Sequence, residues 1–252
     1  MSDKKLAGRV AVITGASKGL GKAMALALGK CGVRLFLVSR NPKLLNQTAV
    51  EARAVGAEAI VCVADVSDEK QVRRAEAAAR RHFGKVQILI NNAGINIRKP
   101  VTGFTLAEWR QVLDTNVTGA FLMCRAFVPH MKGQGYGRIF NLTSIMSHVG
   151  LPGRTAYAAS KSALLGFTRA LALELAPENI TVVGISPGPF ATEMNIPLMQ
   201  NPDLNREFIS KIPLGRWGKM EEVGELAVYL CSEAAEFITG TDILIDGGWT
   251  AQ

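Results

Sequence analysis

The sequence predicts a doubly wound, parallel α/β sheet of about seven strands, with helices on both faces, forming one domain over residues 1–252. Three observations predict it. Short runs rich in β-branched residues alternate with helical stretches along the whole chain. The short runs are nearly continuous in apolar residues, the pattern of strands buried on both faces. The first run opens directly into a glycine-rich turn that starts a helix.

Arg9–Thr14 ("RVAVIT") is the first strand, and "GLGKAMALALGK" is a helix that ends near Gly32. Val33–Ser39 is the second strand. "PKLLNQTAVEARAVG" is helical, with Pro42 in its first turn and Gly56 after its end. "EAIVCVADV" is the third strand. The third helix, "DEKQVRRAEAAARRHFG", takes Ser67 as its cap and acidic residues in its first turn. "VQILINNAG" is the fourth strand. The alternation continues through "LAEWRQVLDTNVTGAFLMCRAFVPHMK", "GRIFNLTS", "AYAASKSALLGFTRALALELA", "ITVVGISPG", a polar helical stretch, "MEEVGELAVYLCS" and "DILIDGG". No linker, repeat or low-complexity tract interrupts it.

The 252 residues are 48% hydrophobic and 20% charged, ample for one substantial core. The net charge of +8 raises nucleic acid, membrane surfaces and anionic small molecules as partners. The basic residues are scattered, and the cluster at Arg73–His82 sits on an amphipathic helix with interleaved alanines, so it reads as a solvated face. Neither nucleic acid nor membrane is expected. Cys31, Cys62, Cys124 and Cys231 lack CxxC spacing and lie in apolar segments, which predicts buried thiols in a reducing compartment. His82, His130 and His148 form no ligand-like spacing, so no metal is expected. The start "MSDKKLAGRVAVITG" has no signal-peptide core and no apolar stretch is long enough to span a bilayer, which predicts a cytoplasmic protein.

The first strand opens into "TGASKGLG". Gly15, Gly19 and Gly21 let the backbone turn sharply and approach a pyrophosphate, with Ser17, Lys18 and Leu20 alongside. The following helix offers unpaired N–H groups and the positive end of its dipole. Alone, such a loop is also a plain strand–helix turn. The second strand ends in Ser39, Arg40 and Asn41, where a protein choosing NAD places an acidic residue for the ribose 2′-hydroxyl. No acid is there. Arg40 and Lys18 instead suit a 2′-phosphate, so NADP is favoured over NAD.

In "TAYAASKSALLGF", Tyr157 and Lys161 stand at i and i+4, on one face of a helix. Read alone, the pair is equally a half-exposed tyrosine beside a solvated lysine. With a dinucleotide site it becomes an acid–base pair, because a nearby cation lowers the tyrosine pKa from about 10.

These motifs in order resemble the short-chain dehydrogenase/reductase (SDR) family over essentially the whole chain. Thr14–Gly21 matches its T-G-x-x-x-G-x-G, Asn91–Gly94 its N-N-A-G, and Asn116 its helix asparagine. Ser144 lies thirteen positions before Tyr157, and Pro187-Gly188 follows the sixth strand. The resemblance implies a Rossmann-type fold, a nicotinamide cofactor (NADPH here) and a homotetramer. It implies Tyr157 as general acid–base and Lys161 as holder of the nicotinamide ribose. Ser144 would bind the substrate oxygen, and Asn116 a water linking Lys161 to solvent. Asp65 and Val66 would lie by the adenine, and Asn92, Ala93 and Gly94 beside the ribose. Pro187, Gly188, Phe190 and Thr192 would contact the nicotinamide end. Val183, where many relatives carry asparagine, departs from the pattern outside the catalytic set.

The stretches "NNAGINIRKP", "GPFATEMN" and "GRWGKMEEVGELAVYL" most resemble sugar-acid dehydrogenases of the gluconate 5-dehydrogenase type. Arg98 and Arg154 then become candidates for the substrate carboxylate, with Met146 and Met194 nearby; both arginines also read as solvated loop residues. The alternatives are a 3-oxoacyl-acyl-carrier-protein reductase, which shares every catalytic motif, and a dinucleotide-binding protein without turnover.

Overall fold

A computed structural model gives the fold; it describes residues 6–252, without the side chains at 194 and 197. The strands are β1 (Val10–Thr14), β2 (Arg34–Ser39), β3 (Ala59–Val63), β4 (Ile88–Asn91), β5 (Gly137–Leu142), β6 (Ile180–Pro187) and β7 (Asp242–Ile245). They form one parallel sheet in the order β3-β2-β1-β4-β5-β6-β7. The order reverses between β1 and β4, and a crevice opens there at the carboxyl ends of the strands.

The helices are α1 (Gly19–Lys30), α2 (Pro42–Ala54), α3 (Glu69–Phe83), α4 (Leu106–Leu113), α5 (Gly119–Phe127), α6 (Thr155–Leu175), α7 (Ile196–Met199), α8 (Pro202–Ser210) and α9 (Met220–Cys231). Alternate strand residues feed two cores. Ala11, Ile13, Leu35 and Leu37 pack under α1, α2 and α9 with Met24, Leu28, Leu45 and Leu230. Val10, Val12, Phe36 and Val38 pack under α3, α5 and α6 with Val72, Met123, Phe127 and Leu175. Both faces are therefore buried, which is why the strands lack alternation. Gly224 lets α9 sit hard against α1, since a Cβ there would stand 3.0 Å from the Ala23 carbonyl oxygen and from Ala27 Cβ.

Three local expectations change. Asp68, not Ser67, caps α3: its Oδ1 accepts from the Lys70 and Gln71 amides at 2.8 and 3.1 Å. The Ser67 hydroxyl is engaged elsewhere, donating to Asp65 Oδ1 at 2.7 Å. The helical stretch 106–132 is interrupted by a π-helical turn, Asp114–Thr118. Of the four cysteines only Cys124 and Cys231 are buried; Cys31 and Cys62 are half-buried. Among the described residues no helix is long and apolar enough to cross a membrane, and no three His, Cys, Asp or Glu side chains gather to hold a metal.

Candidate active site

A cleft of about 390 Å³ runs along the carboxyl ends of the strands. At one end is the turn after β1. Gly15 and Gly19 have φ of +62° and +56°, conformations that favour glycine. Gly21 serves packing: a Cβ there would lie 2.4 Å from Asn92 Nδ2 and 2.5 Å from the Gly15 carbonyl oxygen. Asn92 braces the loop from β4, donating to the carbonyls of Thr14 at 3.0 Å and Gly15 at 3.2 Å. The Thr14 hydroxyl completes the joint, accepting from the amides of Asn92 and Ala93 at 3.0 Å each. The N-terminus of α1 has no side-chain cap and no acid in its first turn. Its free N–H groups and the glycine cradle fit a pyrophosphate.

At the rim, Ser39 donates to Ser17 (Oγ–Oγ 2.9 Å), and Arg40, 57% exposed, pairs with Asp65 at 3.4 Å. Burial works against the Asp65 carboxylate, but hydrogen bonds from the Ser67 hydroxyl and amide, with Arg40, hold it below its usual range. Lys18 and Val66 also line this end. Asn41 does not face the cleft: it caps α2, accepting from the Leu44 amide at 3.0 Å. Gly21 is also off the lining, as its packing role requires. These donors and cations fit an anionic dinucleotide with a further phosphate near Arg40.

In the middle of the cleft, Ser144 follows β5 and Tyr157 and Lys161 share one face of α6. Lys161 is 4% exposed, its Nζ lies 5.5 Å from the Tyr157 ring centroid, and it donates to the Leu142 carbonyl. The electrostatics differ from the sequence expectation. Burial pushes the Tyr157 phenol up; Ser144 and the guanidiniums of Arg154 and Arg98 oppose this. Lys161 is not among the groups lowering it. Enclosure pushes the Lys161 amine itself down to about 8, with Asp242 acting in the other direction. The cations tuning the phenol here are therefore the two arginines.

Asn116 lies one layer behind, 1% exposed, in the π-helical turn. Its Oδ1 accepts from the Ile95 amide at 2.8 Å, and its Nδ2 reaches the Ile95 carbonyl at 3.0 Å and Ser160 Oγ at 2.9 Å. Ser160 in turn donates to the Tyr157 carbonyl at 2.7 Å. Asn116 thus ties the loop after β4 to the catalytic turn of α6. Gly94 is squeezed beside it: a Cβ there would lie 3.3 Å from Asn116 Oδ1 and 3.6 Å from Lys161 Nζ.

Beyond Tyr157 the cleft is lined by Arg98, Met146, Arg154, Pro187, Gly188, Phe190 and Thr192. The Met194 side chain lies outside the described residues. Arg98 and Arg154 make no ion pair among the described residues, and burial together with the Arg98 charge pulls Arg154 below its usual value. Among the lining residues that sequence reasoning missed, three bear on function. Asn96 lines the cleft, and both polar atoms of its amide are buried without a hydrogen-bond partner in the protein. Phe208 of α8 and Trp249 also line it, their rings 5.0 Å apart, with Phe208 stacked at 4.9 Å on Trp217. The only sequence signal for Asn96 was its place just after N-N-A-G; Phe208 and Trp249 lie far apart in the chain and meet only in the fold.

The comparisons agree with this geometry. Residues 15–250 match the family model described as enoyl-(acyl carrier protein) reductase. The chain is 36% identical over 245 residues to gluconate 5-dehydrogenase of Gluconobacter oxydans, covering 97% of this chain and 96% of that protein. It is 34% identical over 245 residues to a 3-oxoacyl-[acyl-carrier-protein] reductase of Aquifex aeolicus, covering 97% and 98%. The solved structure of a gluconate 5-dehydrogenase from Burkholderia cenocepacia, in complex with NADP and tartrate, superposes with a TM-score of 0.93 at 33% identity, covering 100% of this chain and 98% of that one. With the seven-stranded parallel sheet and the Ser144–Tyr157–Lys161 cleft already in place, these matches make the chain a member of the short-chain dehydrogenase/reductase family, an oxidoreductase acting on CH–OH groups.

Proposed function

We propose that the enzyme is an NADP-dependent dehydrogenase interconverting a secondary hydroxyl and a ketone on a gluconate-like sugar acid. The observation that carries this reading is the pair of guanidiniums, Arg98 and Arg154, in the cleft without carboxylate partners among the described residues. Two unneutralised cations beside the catalytic tyrosine suit an anionic substrate. Asn96, with a free donor and a free acceptor, adds a contact suited to a hydroxyl. The Gluconobacter relative and the tartrate-bound Burkholderia neighbour support the same class.

In reduction, the Tyr157 hydroxyl gives its proton to the ketone oxygen; in oxidation it takes the alcohol proton. Ser144 Oγ hydrogen-bonds the same oxygen and steadies its charge. Lys161, buried on the same face of α6, would hold the ribose hydroxyls, while Arg154 and Arg98 supply the positive charge that favours the phenolate. Bound nicotinamide supplies or accepts the hydride. Lys18, Ser17, Ser39 and Arg40 would hold the adenine-ribose phosphate, and the α1 N-terminus the pyrophosphate.

A second reading, 3-oxoacyl-acyl-carrier-protein reduction, is favoured by the Aquifex relative and by the net charge of +8, which would attract an acidic carrier. We assign the assembly to a homotetramer. Leu173 on α6 is 80% exposed and Phe237 fully exposed, with Phe121 on α5 and Tyr229 on α9 half-uncovered, so two apolar faces are left for two-fold contacts. The deciding experiment assays sugar acids, polyols and acetoacetyl thioesters with each nicotinamide. Turnover of sugar acids with NADP supports the first reading; efficient reduction of thioesters alone replaces it with the second.

A further inference from the structure

Behind the catalytic face lies a buried carboxylate that the chemistry above does not use. Asp242 is the first residue of β7, and its side chain is 4% exposed. Three segments converge on its two oxygens. Thr143 Oγ1, just after β5, donates to Oδ1 at 2.6 Å. Ser186 Oγ, in β6, donates to Oδ2 at 2.6 Å. His148 Nε2, from the loop between Ser144 and Tyr157, lies 2.6 Å from the same Oδ2. Thr143 and Ser186 are themselves buried, their hydroxyl oxygens 3.0 Å apart.

The space for this carboxylate is made by a glycine. Gly184 pairs directly with Asp242 in the β6–β7 register, and a Cβ at 184 would stand 2.1 Å from Oδ1. Any larger residue at 184 collides with the aspartate as placed. A carboxylate is costly to bury, and here it is held by partners on both oxygens. Those partners bracket Ser144: Thr143 precedes it, and His148 follows within the same loop. The carboxylate also acts on Lys161, whose Nζ is held by the Leu142 carbonyl at the end of β5.

We propose that Asp242 is a positioning residue of the active site: it straps the two sides of the Ser144 loop to β6 and β7, next to the Leu142 carbonyl that holds Lys161 Nζ. The inference rests on the roles of Ser144, Tyr157 and Lys161 given above, not on the identity of the substrate. Asp242 is not part of the cleft lining and acts through its neighbours. The charge on Lys161 is set by few groups. Tyr157 faces it from α6, Asp242 from β7, and the Leu142 carbonyl from β5; Arg98 and Arg154 act on Tyr157, and His148 on Asp242. Burial lowers the Lys161 pKa and Asp242 raises it, so removing the carboxylate lowers it further.

Asparagine tests this with little change of shape. In Asp242→Asn one oxygen becomes an NH2 group, which cannot accept from Thr143 or Ser186. Protein with 13C-labelled lysine Cε atoms, with Lys161 assigned through Lys161→Met, is titrated by NMR without any substrate. Lys161 in Asp242→Asn should titrate lower than in wild type by about half a pH unit or more. In parallel, kcat is measured on whichever carbonyl the wild type reduces, and should fall at least about fivefold while NADPH affinity is kept. An unmoved Lys161 titration in the folded variant overturns the proposal, as does a kcat loss matched by an equal loss of NADPH affinity. If Asp242→Asn fails to fold, His148→Ala, altered at an exposed residue, decides the strap: lower kcat with unchanged NADPH affinity supports it, and unchanged kcat overturns it. Absence of sugar-acid turnover would leave the NMR result standing, so the two readings fail separately.

Discussion

Arg40 Nη1 lies 3.4 Å from Asp65 Oδ2, and this pair joins the end of β2 to the turn after β3 across the rim of the cleft. The arginine is more than half exposed, so its tie to Asp65 is weak and its guanidinium is free to exchange one anion for another. A 2′-phosphate, with a greater charge than the carboxylate, would compete with Asp65 for it.

Cofactor choice should therefore invert on one substitution. Arg40→Asp removes a charge-assisted contact and sets a second acid beside Asp65. NADPH affinity should fall at least about tenfold, the size of one such contact, with NADH affected much less. Fluorescence titration of both cofactors checks it, and tighter binding of NADH than NADPH by the wild type would refute the argument.

Tyr157→Phe keeps the ring and removes the titrating hydroxyl. Turnover should fall by about 10²-fold or more, with NADPH binding retained. Near wild-type kcat in this variant would end the proposed acid–base role.

The arginines proposed for the substrate carboxylate, Arg98 and Arg154, allow binding to be separated from chemistry. Arg154→Ala and Arg98→Ala should each raise KM for a sugar acid roughly tenfold, with less effect on an uncharged polyol. Equal effects on acid and polyol would mean that the guanidiniums act through Tyr157 and not on a carboxylate. That outcome has a separate mark, since loss of either cation lets the phenol titrate higher.

Lys161 makes a stability prediction with a definite sign. Its folded pKa, about 8, lies below the usual 10.5, so the unfolded chain binds more protons between those values. Stability from this group is lowest below pH 8 and rises as pH rises to about 10.5. Relative to Lys161→Met, the wild type should gain on the order of 3 kcal/mol in unfolding free energy between pH 7 and pH 10.5. Denaturant titrations of both proteins at each pH give the difference directly; a gap that stays constant with pH would exclude a depressed Lys161.

The strands were legible because burial on both faces writes one simple pattern into each of them, and the glycine turn was legible because Gly15 and Gly19 need positive φ. The Tyr157–Lys161 pair was legible because helix spacing alone brings its members to one face. Asp242 was not, since its partners Thr143, His148 and Ser186 come from three separate segments and no local spacing links them. Asn41 and Ser67 were misread for a related reason. A short polar residue at a helix start serves the nearest free amide or the cleft, and only the backbone path decides which. The surroundings of Tyr157 were less legible, because its burial and the approach of Ser144 and Arg98 are products of the fold; only Arg154, three residues before it, was within local reach.

The π-helical turn at Asp114–Thr118 carries a consequence for how this region tolerates change in length. It holds one residue more than an α-helical path would need, and each residue rotates a helix by about 100°. Deleting one residue there would let α4 run unbroken into α5. The apolar side of α5, with Leu122, Met123 and Phe127, would keep its place against the sheet, because the wide turn has already absorbed the extra residue, whereas Asn116 would lose its station beside Ile95 and Ser160. A deletion in the loop before α4 would leave the turn, and Asn116 with it, intact. A chain shortened within the turn thus keeps its packing and loses the brace between Ile95 and α6, while one shortened before Leu106 keeps both.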